Sequence, residues 1–183
     1  MEDEFFDFET FTASFTQTIV SENDDSVSKT TGELFISKPN SILWHVKLPT
    51  ERIVLIVNNS ISIYDPDLNQ VLKSDIDIFE EAKWIRVFTD RDARSYLESI
   101  TETSDFSTRI IYKSLLLDSQ LREFVINKDD EKIRSVTINL SGKNKFEITM
   151  DRVEINTNIS DDFFYSLIPA NAELIVQRAQ KIN

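Results

Sequence analysis

The hydrophobic period of this chain changes near Gly32, from the spacing of a helix to the alternation of a β-strand. Before Gly32, phenylalanine recurs at spacings of three and four residues, at Phe5, Phe8, Phe11 and Phe15. Residues with this spacing share one face of a helix, so the pattern predicts an α-helix over roughly residues 4–18. After Gly32, apolar residues occupy alternate positions at Ile42, Trp44, Val46 and Leu48, which predicts a strand.

Strand patterns and turn residues dominate most of the remaining chain. Residues 53–57 are apolar at every position, which predicts a strand covered on both faces. Asn58 and Asn59 predict a tight turn because Asn tolerates the left-handed conformation, and residues 64–67 predict another. Further strand-like runs cover residues 61–63, 109–117, 121–126, 133–140, 145–157 and 163–168, with a hairpin turn at 141–144.

A helical period returns between Lys73 and Ser99. Ala93, Tyr96, Leu97 and Ile100 form an apolar stripe with helical spacing, which predicts a helical insertion in the sheet. The predicted fold class is therefore mainly β (α+β), with a single antiparallel sheet, a helix in front and a helical insertion. The length of 183 residues is that of one domain, covering residues 1–183.

The charge balance of the chain excludes several classes of partner. Lys and Arg number 20 against 32 Asp and Glu, which gives a formal net charge of −12. Such a chain has nothing to offset phosphate repulsion, so it is not expected to bind nucleic acid or to rest on an anionic membrane. No stretch approaches the ~18 apolar residues of a membrane span. The acidic surface therefore serves solubility or steers the protein toward a basic partner.

The sequence carries no recognisable catalytic or metal-binding motif. It has no Cys, so thiol catalysis and the common zinc sites are excluded. Its only histidine, His45, lacks the surrounding nucleophile and orienting acid of a catalytic centre. Two glycines cannot build a phosphate-binding loop. We therefore expect no enzyme activity, no cofactor and no metal, although paired carboxylates stay open without coordinates.

Four segments resemble the outer-membrane lipoprotein carrier (LolA) family in their order and spacing. The family pattern is an aromatic helix ending in F-x-Q, a glycine strand with a basic-Pro pair, a Trp, a Y-D/N-P turn and a proline-containing close. The matching segments here are FTASFTQ, GELFISKPNSILWHVKLPTE, YDPDLNQV and FFYSLIPANAELI. The opening region, Phe11 to Gln70, matches well, the last fifty residues match loosely, and the middle matches in character only.

The sequence departs from the family at defined positions. Lys38 stands where the family has Arg before the Pro, and it is a point charge without the planar fork. Val57-Asn58 replaces the usual Asp-Gly, and Ile168-Pro169-Ala170-Asn171 replaces Pro-Pro-x-Gly. These differences leave open a divergent paralogue with another lipid cargo.

The resemblance implies an incompletely closed antiparallel barrel whose apolar concave face is covered by a helical lid. It implies a periplasmic, monomeric carrier that passes lipoprotein or lipid acyl chains from an inner-membrane donor complex to an outer-membrane acceptor. Lys38 would control the lid and cargo release. Alternate residues share a strand face, so Ile42, Trp44 and Val46 face the cavity with Lys38. The residues assigned to the lipid-binding cavity are Ile42, Trp44, Val46, Leu55, Ile63, Tyr96, Leu97 and Ile100.

Several alternatives remain open from the sequence. From composition alone, Phe5 to Phe15, Trp44 and Leu97 are better explained as an ordinary core, and only the order of the family motifs favours a cavity. The same fold also serves a periplasmic sensor or regulator of lipid, or a surface-anchored acceptor, although the absence of Cys disfavours an anchor. The acidic N-terminus has no signal-peptide pattern, so the chain is either cytoplasmic or a mature form whose signal peptide was removed.

Overall fold

The computed structural model of the protein describes residues 6–21, 26–39, 41–76, 85, 87–90, 92, 95–104, 107–115, 121–129, 132–141 and 144–177. The regular structure of these residues consists of twelve strands and one short α-helix. The strands are β1 (Thr10–Ser21), β2 (Val27–Ser37), β3 (Ser41–Leu48), β4 (Arg52–Val57), β5 (Ser60–Asp65), β6 (Gln70–Asp75), β7 (Leu97–Thr103), β8 (Ser107–Ser114), β9 (Leu121–Asp129), β10 (Lys132–Leu140), β11 (Asn144–Ile155) and β12 (Glu173–Val176). The helix α1 (Asp161–Ser166) lies between β11 and β12.

All twelve strands belong to one sheet, in the order β12-β6-β5-β4-β3-β2-β1-β11-β10-β9-β8-β7. β12 pairs with β6 in parallel, whereas the other neighbours pair antiparallel. The prediction of a wholly antiparallel sheet is therefore wrong, because the chain crosses over through α1 and returns beside β6 in the direction of that strand. The sheet is not closed into a barrel, since β12 and β7 are its two edges in the described part of the chain.

The predicted N-terminal helix is a strand. β1 pairs with β2 on one side and with β11 on the other, over most of its length. Phe11 and Phe15 are four residues apart, a spacing that fits a helix face and equally fits alternation, and Ala13 between them is buried too. The intervening positions hold Thr and Ser, and Thr favours strands because its branched side chain is crowded in a helix. Residues 1–5 lie outside the described part of the chain.

The predicted helical lid is not supported in the described residues. Leu97 and Ile100, predicted to share a helix face, lie on the edge strand β7, which pairs with β8 over its whole length. Ala93 lies outside the described residues. The described residues of the connection between β6 and β7 include Ile85, Val87 and Phe88, which are buried. None of the described helices has the length and apolar character needed to cross a membrane.

The strand predicted at residues 163–168 is in fact part of α1 and the turn after it. Phe164 is buried, and Phe163, Leu167 and Ile168 pack against the same cluster. These positions are one, three and four residues apart, which is the spacing of one helix face. The other predicted strands are confirmed, and so is the Asn58 turn, where φ is 54°. The turn after β5 is confirmed as well, with Asp65 Oδ1 accepting from the backbone N–H of Asp67.

Each face of the sheet has its own hydrophobic cluster. The larger cluster draws buried side chains from β1 to β5 and β8 to β11, and we call the face that carries it the inner face. The smaller one lies on the opposite, outer face of β3 to β6, beneath α1. In β4, Ile53 and Leu55 belong to the outer cluster, whereas Val54 and Ile56 pack in the inner one. The prediction that residues 53–57 are covered on both faces is therefore confirmed.

Candidate functional site

The inner face is concave. The Phe88 ring lies 5.5 Å from the rings of both Phe11 on β1 and Phe124 on β9. Two other strands, β11 and β10, separate β1 from β9, so on a flat sheet those strands would be about 14 Å apart. Both rings contact Phe88 because the side chains of these strands converge toward it, which makes the apolar surface of the inner face concave. The inner face therefore forms a hollow that residues from outside the sheet fill.

The strand pairings arrange the inner face in parallel rows of side chains. The first, which we call the buried row, is covered throughout and consists of Phe11, Ile36, Ile42, Ile56, Ile61 and Ser74. The second, the graded row, becomes more exposed toward β12 and consists of Ala13, Leu34, Trp44, Val54, Ile63, Leu72 and Ile175. The third begins with Phe15, Gly32 and Val46 and ends in polar residues on β4, β5, β6 and β12.

Three phenylalanines from outside the sheet cover the buried part of the inner face, and we call Phe6, Phe8 and Phe88 the aromatic plug. Phe6 precedes β1, and its ring centroid lies 5.5 Å from that of Tyr112 on β8 and 5.7 Å from that of Phe124 on β9. Phe8 lies 5.4 Å from Phe11, and Phe88 comes from the connection between β6 and β7. The hollow is thus closed by residues of two segments outside the strands, the one before β1 and the one between β6 and β7.

Lys38, at the end of β2, holds the segment that carries Phe6 and Phe8. Its Nζ donates to the backbone O of Phe6 and lies 4.1 Å from the centroid of the Phe8 ring. Its backbone N–H donates to the O of Glu9 at 2.9 Å. Asn156 adds a further restraint, since its Oδ1 accepts from the Glu9 backbone N–H at 2.8 Å. The resemblance assigned lid control to Lys38, and here the side chain contacts the plug directly.

Gly32 lets the central aromatic pair form. The rings of Phe15 and Trp44 are stacked with centroids 4.0 Å apart, on strands that flank β2. A Cβ at Gly32 would lie 2.7 Å from the Phe15 ring and closer still to the backbone O of His45. No side chain fits there, so the glycine is required by close packing. Sequence reasoning used Gly32 as a marker of the family pattern and of the change in period.

The structure brings together five of the eight residues assigned to the cavity. Ile42, Trp44, Val46, Ile63 and Leu97 all belong to the inner cluster or pack against it. The shared face of positions 42, 44 and 46 follows from alternation along β3 and agrees with the parity argument.

The other three cavity residues lie elsewhere. Leu55 pairs with Leu43 and faces the outer cluster, because it stands one position from the inner residue Ile56. Ile100 pairs with Ile111 on the outer face of β7 and is 41% exposed. Tyr96 precedes β7 and is 51% exposed.

The roles of Phe6 and Phe88 were not predicted from the sequence. Phe6 was not singled out, and Phe8 was assigned to a helix stripe. Two signals were available, the abundance of phenylalanine, 13 residues in the chain, and the mostly apolar run WIRVF that ends at Phe88.

No group of three or more His, Asp or Glu able to hold a metal ion occurs in the described part of the chain. His45 Nε2 lies 2.7 Å from Glu51 Oε1, a pairing with an exposed carboxylate near the end of the strand. A structural or solvent-facing role for His45 stays a prediction.

Comparison with known proteins gives the fold and the site a context. The family model described as "Outer membrane lipoprotein carrier protein LolA" matches residues 7–166. A relative from Pseudomonas putida (strain W619), named outer-membrane lipoprotein carrier protein, is 27% identical over 176 residues, covering 91% of this chain and 80% of the relative. A protein of the same name from Hahella chejuensis is 26% identical over 175 residues, covering 91% and 82%.

Solved structures share the fold at low sequence identity. An uncharacterised conserved protein from Thermus thermophilus superposes with a TM-score of 0.57 at 11% identity, covering 95% of this chain and 94% of that one. A DUF1329 family protein from Desulfovibrio piger superposes with a TM-score of 0.53 at 10% identity, covering 91% and 94%. These likenesses describe the backbone architecture alone.

Proposed function

This chain belongs to the family of the outer membrane lipoprotein carrier protein LolA, and from that membership we propose that it carries lipoproteins by sheltering their acyl chains on the inner face of its sheet. The observation that supports the proposal most is the aromatic plug. Apolar side chains from nine strands line the hollow, and among the residues described only residues outside the strands cover it. Such a cover can move without disturbing the strand pairings.

An acyl chain would replace the plug rather than enter an empty space. Fully burying a phenylalanine is worth about 1.5–3 kcal/mol, so the three rings stabilise the closed hollow by several kcal/mol. Cargo that displaces them covers the same apolar surface, and the net gain on binding is only the difference. Ile42, Trp44, Val46, Ile63 and Leu97 would line the space, with Ile42 lying deepest because it belongs to the buried row.

Modest net affinity is what a carrier requires. Complete burial of ~48 methylenes at about 0.8 kcal/mol each would give nearly 40 kcal/mol. Noncovalent affinities end near 18–21 kcal/mol, and cargo held that tightly would never be released. A plug that competes with the cargo for the inner face lowers the affinity and permits transfer.

Lys38 would set how easily the plug leaves. Its ammonium contacts both the backbone O of Phe6 and the ring of Phe8, so it fastens two of the three plug residues to the end of β2. We therefore assign Lys38 the role that the resemblance implied, control of opening and release, exercised through residues 6–9 instead of a helical lid.

The same proposal places the protein in the periplasm as a monomeric carrier between an inner-membrane donor complex and an outer-membrane acceptor. Transfer then requires affinity for the cargo to increase from donor to carrier to acceptor, because a ligand moves toward the state that binds it better. No covalent step, cofactor or metal is needed for this exchange. The support for this placement is the family and the names of its relatives.

The direct test is binding of an acylated peptide. A synthetic peptide with two palmitoyl chains should coelute with the purified protein in size-exclusion chromatography, whereas the same peptide without acyl chains should not. Tryptophan fluorescence should change on binding, because Trp44 lies on the inner face. If the acylated peptide does not bind, or binds no better than its non-acylated control, the proposed function is wrong.

A further inference from the structure

The graded row runs from the centre of the inner face to the edge of the sheet. Trp44 is 8% exposed, Val54, Ile63 and Leu72 are half-buried, and Ile175 is 43% exposed. Each residue is the direct cross-strand partner of the next, through β3, β4, β5, β6 and β12. With about 4.8 Å between strands, this apolar stripe is roughly 19 Å long. The stripe therefore connects the hollow with the solvent at β12.

A polar row lies beside this stripe on the same face. It consists of Arg52, Asp65, Gln70 and Glu173, each two positions along its strand from a member of the graded row. Arg52 Nη2 lies 3.7 Å from Asp65 Oδ2, and Gln70 Nε2 donates to Glu173 Oε2 at 2.8 Å. On its other side the stripe adjoins the buried row. The inner face of β4, β5, β6 and β12 is thus amphipathic.

The apolar stripe ends at the edge strand β12, where it is exposed to solvent. The backbone N–H groups of Glu173 and Gln177 donate to carbonyls of the β6 side, at Asn69 and Lys73. No strand lies beyond β12 in the described part of the chain. Leu174 is 59% exposed on the outer face, and Ile175 continues the graded row on the inner face.

The direction of the stripe decides what can occupy it. An extended peptide that adds to a sheet edge runs along the edge strand, because it pairs through backbone hydrogen bonds. The graded row instead crosses five strands at right angles. The backbone N–H and C=O groups of these strands pair within the plane of the sheet, so they offer no hydrogen bonds to a ligand that lies on the face. A flexible apolar chain without hydrogen-bonding groups fits such a path, and the polar row suits the polar linkage at the end of that chain.

We propose that an acyl chain of the cargo lies along the graded row, with its methyl end at Trp44 and its carbonyl end toward β12, beside Gln70. This inference rests on the proposed function and adds the route by which a chain enters and leaves. Entry over β12 needs no break in the sheet, because the row is already exposed at that edge.

Single cysteines can test the route, since the natural chain has none. Ile175→Cys and its neighbour Leu174→Cys place a bimane label on opposite faces of the same strand, both at exposed positions. On addition of the dipalmitoylated peptide, iodide quenching of the label at 175 should fall about threefold or more, because bound chain covers that site. The label at 174 should keep its quenching.

A second pair of variants measures the contribution to affinity. Leu72→Glu places a carboxylate within the graded row, and it should weaken dipalmitoylated-peptide binding about tenfold or more by removing one buried leucine contact. Lys73→Glu, one position along β6 on the opposite face, makes the larger change in charge and should leave the affinity within about twofold. Circular dichroism checks that all four variants are folded.

The outcomes separate the route from the function. If the peptide coelutes with the wild-type protein but label 175 does not respond and Leu72→Glu binds normally, the chain lies elsewhere on the inner face and this inference is wrong. Equal responses at 174 and 175 would overturn it too, since they would indicate a change of the whole strand. If the wild-type protein does not bind the peptide at all, the proposed function fails first.

Discussion

Replacing Lys38 with Met removes the charge that fastens the plug while keeping an apolar stem over the Phe8 ring. The substitution removes a hydrogen bond from a charged donor to the Phe6 carbonyl, worth about 1.5–3 kcal/mol, and a cation–π contact worth about 0.5–2 kcal/mol. Part of this loss is recovered by hydration of the Phe6 carbonyl. We therefore take about 2 kcal/mol as the reduction in the free energy of plug opening, which is roughly 30-fold in the opening equilibrium.

Hydrogen exchange measures the opening of the plug, and peptide affinity measures separately how that opening affects binding. The backbone N–H of Glu9 is protected by Asn156 Oδ1, so its hydrogen exchange should accelerate about 30-fold in Lys38→Met. Affinity for the dipalmitoylated peptide should rise by up to the same factor, because binding no longer works against the fastened plug. The global melting temperature should fall by only about 4–8 °C, which is what about 2 kcal/mol represents in a domain of this size, since the sheet pairings are untouched.

The matched control is Lys47→Met, which removes an exposed lysine paired with Glu33 at 2.7 Å on the neighbouring strand. It should alter neither Glu9 exchange nor peptide affinity, because exposed ion pairs contribute little. Unchanged exchange at Glu9 in Lys38→Met would show that Lys38 does not hold the segment. Faster exchange at Glu9 with unchanged peptide affinity would show that opening of the plug does not limit binding, and the role assigned to Lys38 would be wrong.

Three further predictions concern the inner face and the charge of the surface. Ile42→Glu should abolish peptide uptake while leaving the protein folded by circular dichroism, because the carboxylate is hydrated when the plug opens; an unfolded variant would make position 42 ordinary core. Gly32→Ala should lower the free energy of unfolding, measured by urea titration, by about 3 kcal/mol, the upper end of overpacking costs, because its Cβ meets the Phe15 ring. A loss below about 1 kcal/mol would contradict the packing argument. The net charge of −12 should steer docking to a basic partner, so association rates should fall between low and 0.1 M salt while dissociation changes little; salt-independent association would exclude steering.

Local sequence patterns predicted the secondary structure correctly where only one type of element fits the pattern. Alternation predicted β3, β5 and the strands from β8 to β11, and the wholly apolar run 53–57 predicted a strand covered on both faces. Asn58 predicted its own turn because few residues tolerate positive φ. The order of the family motifs predicted the family, which the match over residues 7–166 confirms.

Ambiguous patterns were resolved only by pairing across the sheet. Phe11 and Phe15 fit a helix and a strand equally well, and the strand wins because β2 and β11 offer partners on both sides. Leu97 and Ile100 fit one helix face, but pairing with β8 puts them on opposite faces of β7. The parallel placement of β12 depends on α1 crossing the outer face, which no local window contains.

Alternation and motif order are properties of neighbouring residues, so they are sufficient to identify a β-sheet protein of the lipoprotein carrier family. Which side chains share the inner face, and what covers that face, depends on the tertiary structure. Leu55 left the predicted cavity because one step along a strand reverses the side-chain direction. Phe6 and Phe88 joined the site because the concave inner face brings Phe11 and Phe124 to a single ring, and that shape arises from all strands together.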